Sequence, residues 1–133
     1  MNKLKFRVWD KKHKFYVWDR SVYLSGDGEL EVFNCKTRNK DYFVIQQFTG
    51  KIDIVGTEIY EGDICEMHMS ANDKSNVKEQ YGVYVVYRGD NGEFKIKTIK
   101  KNWFHCFGDN AMIYDFNILK VIGNIFENKK LLK

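Results

Sequence analysis

The sequence has no proline, only three cysteines and no long apolar run. Each shortage closes off a class of protein. Without proline, and without a Ser- or Gly-rich stretch, the chain carries no linker of recognisable composition, no low-complexity segment and no internal repeat. A single domain over residues 1–133 is the expectation. Cys35, Cys65 and Cys106 are odd in number and widely spaced, which argues against a secreted disulfide framework. No window approaches the ~20 apolar residues of a membrane span. Met1 to Asp10 alternates charge with apolar residues, so no signal peptide is expected and the reading is a cytoplasmic protein. Catalytic signatures are missing as well. There is no G-x-S-x-G elbow, no P-loop and no dinucleotide fingerprint, and Gly26-Asp27-Gly28 lacks the strand–helix setting such loops need.

Core-forming material is plentiful. Hydrophobic residues make up 44% and aromatics 16%, with ten Phe and eight Tyr, side chains that suit half-buried pleated surfaces. Lys and Arg total 22 against 18 Asp and Glu, a net charge of +4 that falls short of a strong nucleic-acid signature. The charge is uneven. Cations cluster in the first twenty residues, again over Lys95–Lys101, and in a tail holding Lys129, Lys130 and Lys133, while Glu58, Glu61, Asp63 and Glu66 make an acidic stretch. Such asymmetry suits a self-complementary assembly or an ordinary solvated surface.

Period-two patterns dominate. Leu4, Phe6 and Val8 alternate with Lys5, Arg7 and Trp9, which predicts a half-buried first strand with the second set outward. Asp10 to Lys14 reads as a turn, Phe15 to Leu24 as β, and Ser25-Gly26-Asp27-Gly28 as a hairpin returning through Leu30, Val32 and Phe33. Cys35 to Asp41 reads as a loop. Asp41 to Phe48 is a further strand that Thr49-Gly50 should end, and Lys51 to Thr57 a turn with Gly56 at its tip. Two short β stretches follow around Glu61-Gly62-Asp63, then a polar loop from Ser70 to Gln80. Tyr81 to Tyr87 and Phe94 to Thr98 flank Asn91-Gly92, the strongest hairpin signal in the chain, with Phe94, Ile96 and Thr98 inward and Lys95 and Lys97 outward. Ile118 to Phe126 is the last β stretch, with Gly123 at a bulge or close crossing, and Glu127 to Lys133 forms a helical turn or frays. Many short strands with Gly-bearing turns, and no long period-3.6 segment, predict a mostly β barrel or sandwich with little helix.

Three segments together resemble the YopX family of bacteriophage and prophage proteins. Lys5-Phe6-Arg7-Val8-Trp9-Asp10 is similar to the family's "KFRxWD" opening. Gln47-Phe48-Thr49-Gly50, followed by Glu58-Ile59-Tyr60-Glu61-Gly62-Asp63-Ile64, is similar to its "QxTGxxDxxGxEIYEGDI" core. Val121-Ile122-Gly123-Asn124-Ile125-Phe126-Glu127-Asn128 is similar to its closing "VIGNIYEN". Order and spacing agree over nearly the whole chain. The departures are local: Ile54-Val55 replaces a more polar pair, Phe126 stands where Tyr is common, and Lys129 where proline is frequent. The resemblance implies a mostly β fold with an SH3-like barrel element in the later half, an oligomeric phage accessory protein, and no catalytic residue to transfer.

Four constellations are candidates for chemistry. Glu58, Glu61, Asp63 and Glu66 could hold Mg²⁺ or serve as acid and base, but strands around Gly62 would point them apart, and packing with a tight turn is the simpler explanation. Cys65, His68, His105 and Cys106 offer a zinc donor set. In extended chain, however, positions 65 and 68 face opposite sides, and buried inert thiols are favoured. The other two candidates are basic and aromatic: Lys5, Arg7 and Trp9, extended by Lys12, Lys14, Tyr16 and Trp18, and then Lys95, Lys97, Lys100, Lys101 and Trp103. Lysine and arginine neutralise phosphates and exposed rings stack on unpaired bases, whereas a subunit contact would use the same aromatics. The leading expectation is therefore a non-enzymatic oligomeric interaction protein without cofactor or metal, meeting a host or phage protein. The alternative is a nucleic-acid-binding small barrel using those basic and aromatic surfaces. Neither involves a membrane.

Overall fold

The alternating opening segment forms β1 (Phe6–Asp10), and the polar stretch behind it turns the chain back into β2 (Phe15–Val17). The computed structural model describes residues 4–17, 22–24, 26, 30–32, 43–69, 80–101, 111–112 and 119–133. Asp10 builds the first turn. Its main-chain carbonyl accepts Lys14 N (2.8 Å), and its Oδ1 accepts Lys12 N (2.9 Å) and His13 N (3.0 Å). Asp is suited to this because its side chain mimics a backbone turn. Lys14 closes the turn with φ of 59°, a left-handed conformation rare for a residue with a Cβ.

β3 (Val22–Leu24) and β4 (Leu30–Val32) pair antiparallel around Gly26, as the glycine-rich stretch between them predicts. β5 (Phe43–Ile52) pairs with β1 on one side and β6 (Glu58–Tyr60) on the other, giving a four-stranded sheet of order β2-β1-β5-β6. Thr49-Gly50 does not end β5, contrary to expectation. Gly50 takes φ of +83°, the pairing with β6 shifts register between Phe48 and Ile52, and the strand continues. A glycine in the left-handed region lets a strand absorb extra residues, here two, as a bulge. The following turn places Gly56 at φ +90°, as its position in the sequence predicts.

The second sheet has the order β10-β9-β8-β7-β11, all antiparallel, and curls into a half-barrel. Its strands are β7 (Asp63–Met69), β8 (Gln80–Arg88), β9 (Phe94–Lys101), β10 (Ala111–Met112) and β11 (Leu119–Asn124). The fold is mostly β, with this barrel-like element in the later half, as the resemblance implied. Asn91-Gly92 does turn β8 into β9. Gly92 N donates to Gly89 O (3.0 Å) and takes φ of +83°, the three-residue form with a glycine bulge. Both readings of Gly123 hold. The β11–β7 register shifts between Val121 and Gly123, and a Cβ on Gly123 would sit 2.5 Å from Asn128 Oδ1. The chain then closes in a 3-10 turn over Lys129–Leu132. The predicted loops at Cys35–Asp41 and, up to residue 79, Ser70–Gln80 lie outside the described residues.

The core lies against the half-barrel. Ile59 from β6 packs with Cys65 and Met67 of β7, Tyr84 and Val86 of β8, Ile96 of β9 and Leu119 of β11, all buried. Two main-chain nodes join the sheets. Gly62 N donates to Val86 O (2.7 Å) while Gly62 O accepts Ile125 N (2.9 Å). In the β5–β6 turn, Ile54 N donates to Leu119 O (3.0 Å). No helix among the described residues is long and apolar enough to cross a membrane.

Candidate functional site

The acidic motif and the first strand meet in one buried network. Arg7 Nη2 donates to Asp63 Oδ1 (2.6 Å) and to Glu61 O (3.4 Å), and Arg7 Nε donates to Gln46 Oε1 (2.7 Å). The guanidinium lies between two rings, 4.7 Å from the centroid of Tyr16 and 4.8 Å from that of Tyr60. Asp63 Oδ2 accepts Tyr60 N (2.8 Å), and Tyr16 OH donates to Gln46 Oε1 (2.9 Å). The side chains of Arg7 and Asp63 are only 10% and 2% exposed, so this is an interior ion pair. Burial raises the Asp63 carboxyl above its ordinary value, against the opposing pull of Arg7 and the Tyr60 N–H. Burial likewise pushes both phenols up to about 12, at Tyr60 with help from Glu58.

Of the other acidic residues, Glu58 and Glu61 are also occupied, while Glu66 stands half-buried on β7, in register with Lys120 and Val83. Glu61 Oε1 accepts Gln47 N (2.8 Å). Glu58 pairs with Lys5 through one oxygen and accepts Tyr60 OH (3.0 Å) through the other. Asp53, 3% exposed, accepts Val55 N and Thr57 N through Oδ1 (2.9 and 2.8 Å) and Val121 N through Oδ2 (2.9 Å), clipping its turn to β11. Burial pushes the Asp53 carboxyl up, but these N–H donors, with that of Gly56, outweigh it and hold the group below the usual carboxylate range. In the sequence Asp53 stands out only as part of a turn. Its place in the family core motif was the available signal.

No cluster of three or more His, Cys, Asp or Glu able to hold a metal occurs among the described residues. Cys65 is fully buried and its thiol is pushed up by that burial, which leaves it little thiolate. The His68 side chain, His105 and Cys106 lie outside the described residues.

The expected outward face of β1 needs correction. Lys5, Arg7 and Trp9 do share a side, but that side is covered. Arg7 is enclosed as above, and Trp9 is 5% exposed, edge-on to Tyr16 (centroids 4.9 Å) and stacked on Phe126 (5.1 Å, 7° between planes). Only Lys5 stays substantially accessible, and it is paired with Glu58. The cause is the β6–β7 motif and the segment after β11, which close over this face. A charged residue in an alternating strand signals solvent only when no counter-charge arrives from elsewhere. In the second patch Ile96 is buried and Lys97 exposed, as the alternation predicts, whereas Lys95 is half-buried and pairs with Glu93 (3.0 Å). The Lys101 side chain and Trp103 lie outside the described residues, as does Trp18.

A cleft of about 870 Å³ opens beside Trp9, between the β1–β2 turn and the C-terminal 3-10 turn. Lys11 and Lys14 stand on one wall, Lys129 and Lys130 on the other, and Trp9 and Phe126 lie at its base. All four lysines are exposed, and none pairs with a carboxylate among the described residues. Glu127, the acidic residue of the lining, accepts Asn124 Nδ2 (3.0 Å). Both lysine clusters were visible in the sequence. Their meeting was not, since they come from opposite ends of the chain.

Comparison with known proteins matches this architecture to one family. A model of the YopX protein family matches residues 5–133. The crystal structure of protein EF1440 from Enterococcus faecalis is similar over the full length of both chains, with 25% identity and a TM-score of 0.56. No curated protein matches the chain.

Proposed function

The chain belongs to the YopX family, and on that premise we propose that it is a non-enzymatic accessory protein of a phage or prophage that works as an oligomer by contact with another macromolecule. One observation carries the reading: Asp53, Glu58, Glu61 and Asp63 of the family motif are all bonded to groups of this same chain. A carboxylate committed to main-chain N–H groups or a buried guanidinium is a structural element, and general acid–base work needs one that can reach a substrate proton. Apolar side chains left outside support the contact role. Ile52 at the end of β5, and Ile54 and Val55 in the turn after it, are 50%, 56% and 65% exposed, and Phe15 is 50% exposed on β2, an edge strand.

Light scattering on a size-exclusion column tests the assembly. The expected result is a discrete oligomer that Ile54→Lys with Val55→Lys weakens; a monomer at every concentration removes that part. A hydrolytic activity abolished by Glu58→Gln in a folded protein would overturn the non-enzymatic part. The second reading, a nucleic-acid-binding small barrel, is favoured by the lysine-walled cleft.

A further inference from the structure

We propose that the cleft between the β1–β2 turn and the C-terminal 3-10 turn binds single-stranded nucleic acid, with Lys11, Lys14, Lys129 and Lys130 contacting phosphates and Phe126 supporting a base. The inference deepens the second reading above by assigning it a site, and rests on that reading.

Three features combine. The first is charge: two lysines on each wall face one glutamate that is tied to Asn124. Lysine is a point charge on a flexible stem, suited to phosphates arriving at varied angles along a strand. The second is the base of the cleft. Phe126 lies flat on Trp9, which is itself held by Tyr16 across the β1–β2 ladder. One face of Phe126 is therefore backed by a rigid indole, and the half-buried remainder lines the cleft. A positively charged groove with an aromatic platform is the arrangement that holds single strands without sequence preference. Its volume falls in the range of small-ligand pockets, enough for one or two nucleotides rather than a duplex.

The third feature is Lys14. At φ 59° the turn asks for glycine or asparagine, and a lysine there is held against its backbone preference. Its backbone makes the turn bond to Asp10, but its side chain is exposed and makes no bond to a described residue. An unfavourable residue with an idle, charged side chain beside a cleft is better explained by a ligand than by stability.

The test is fluorescence anisotropy of a short labelled oligothymidylate with the intact protein, repeated across a salt series, with polyglutamate as competitor. Expected is binding whose log K falls against log salt with a slope between about −0.7 and −2, roughly 0.7 for each of the one to three phosphates that one or two nucleotides bring to the four lysines. Lys14→Glu with Lys129→Glu should weaken it about tenfold or more. Lys97→Glu, exposed on β9 and outside the cleft, should leave it unchanged. Lys14→Asn should bind more weakly while melting no lower than the wild type, a pairing that a purely structural lysine would not produce. Binding that survives the cleft variants and falls with Lys97→Glu overturns the site but leaves the nucleic-acid reading standing. No salt-sensitive binding overturns both. Displacement by polyglutamate as effective as by unlabelled oligonucleotide would overturn the nucleic acid in favour of an acidic protein partner.

Discussion

Replacing Arg7 by methionine keeps most of the apolar stem and deletes the guanidinium. Asp63 then loses its counter-charge while 2% exposed, keeping only the Tyr60 N–H, and the two tyrosine rings lose the cation between them. Removing one member of a buried pair costs about 3–5 kcal/mol, because the remaining charge is uncompensated. Against a total stability of roughly 5–15 kcal/mol, the variant should fold but unfold early. With a urea m-value of about 2 kcal/mol/M, the midpoint should fall by roughly 2 M. The loss should also depend on pH. Burial already raises the Asp63 carboxyl, and without Arg7 it rises further. A group whose folded-state value is raised binds a proton more readily folded than unfolded, so its destabilisation grows as pH rises from the ordinary value toward the raised one. The slope is at most about 1.4 kcal/mol per pH unit. Asp63→Asn removes the charge and keeps an oxygen for Tyr60 N. The double variant should therefore lose about 2–3 kcal/mol less than the two single losses summed. An Arg7→Met cost below about 1 kcal/mol, or strict additivity in the cycle, would refute the view that Arg7 is an interior structural cation.

The remaining expectations follow from the same contacts. Gly62→Ala puts a Cβ at φ +84° and 2.1 Å from Gln46 Nε2, a side chain already held by Arg7 and Tyr16, so a loss of about 2–4 kcal/mol is expected in urea melts. Lys5→Ala breaks a pair whose members are 41% and 39% exposed, and should cost under about 1 kcal/mol and less in high salt. Asp53→Asn should lose about 2 kcal/mol at neutral pH, for the hydrogen bonds to its charged form. The Asp53 carboxyl is held low in the folded state, so its contribution is present above the unfolded value near 3.8 and disappears as pH falls through the folded one. The gap between variant and wild type should therefore narrow below about pH 3.8. Asp63 shifts the other way, and Asp53 is the least of the causes that raise it, so Asp63 offsets only a minor part of this narrowing; an unchanged gap in acid would contradict the role given to Asp53.

These predictions also change how charge reversal at the first strand is to be interpreted. Arg7→Glu would set two carboxylates in one enclosed space, so any lost binding would report unfolding. Surface tests belong on Lys11, Lys14, Lys129 and Lys130, whose side chains make no bond to any described residue.

Local patterning was enough to mark the described strands other than β10, and most of their turns. Alternation marks β1, β8 and β9, and glycine at 56 and 92 marks turns, because a pleated strand repeats every two residues and a left-handed backbone position excludes most side chains. Gly50 defeats that logic, since the same glycine that ends one strand lets another bulge and continue. The destination of each charge was decided only by tertiary structure. Arg7 looks like a surface cation until Asp63 arrives from a strand more than fifty residues away, and Trp9 looks exposed until Phe126 covers it. The cleft has the same origin, since its two lysine pairs sit near opposite termini and meet only when the segment after β11 folds back onto β1. Periodicity reports which residues share a side. Whether that side faces water depends on long-range closure and on the free energy of pairing a charge inside, and neither is written in the spacing of one strand.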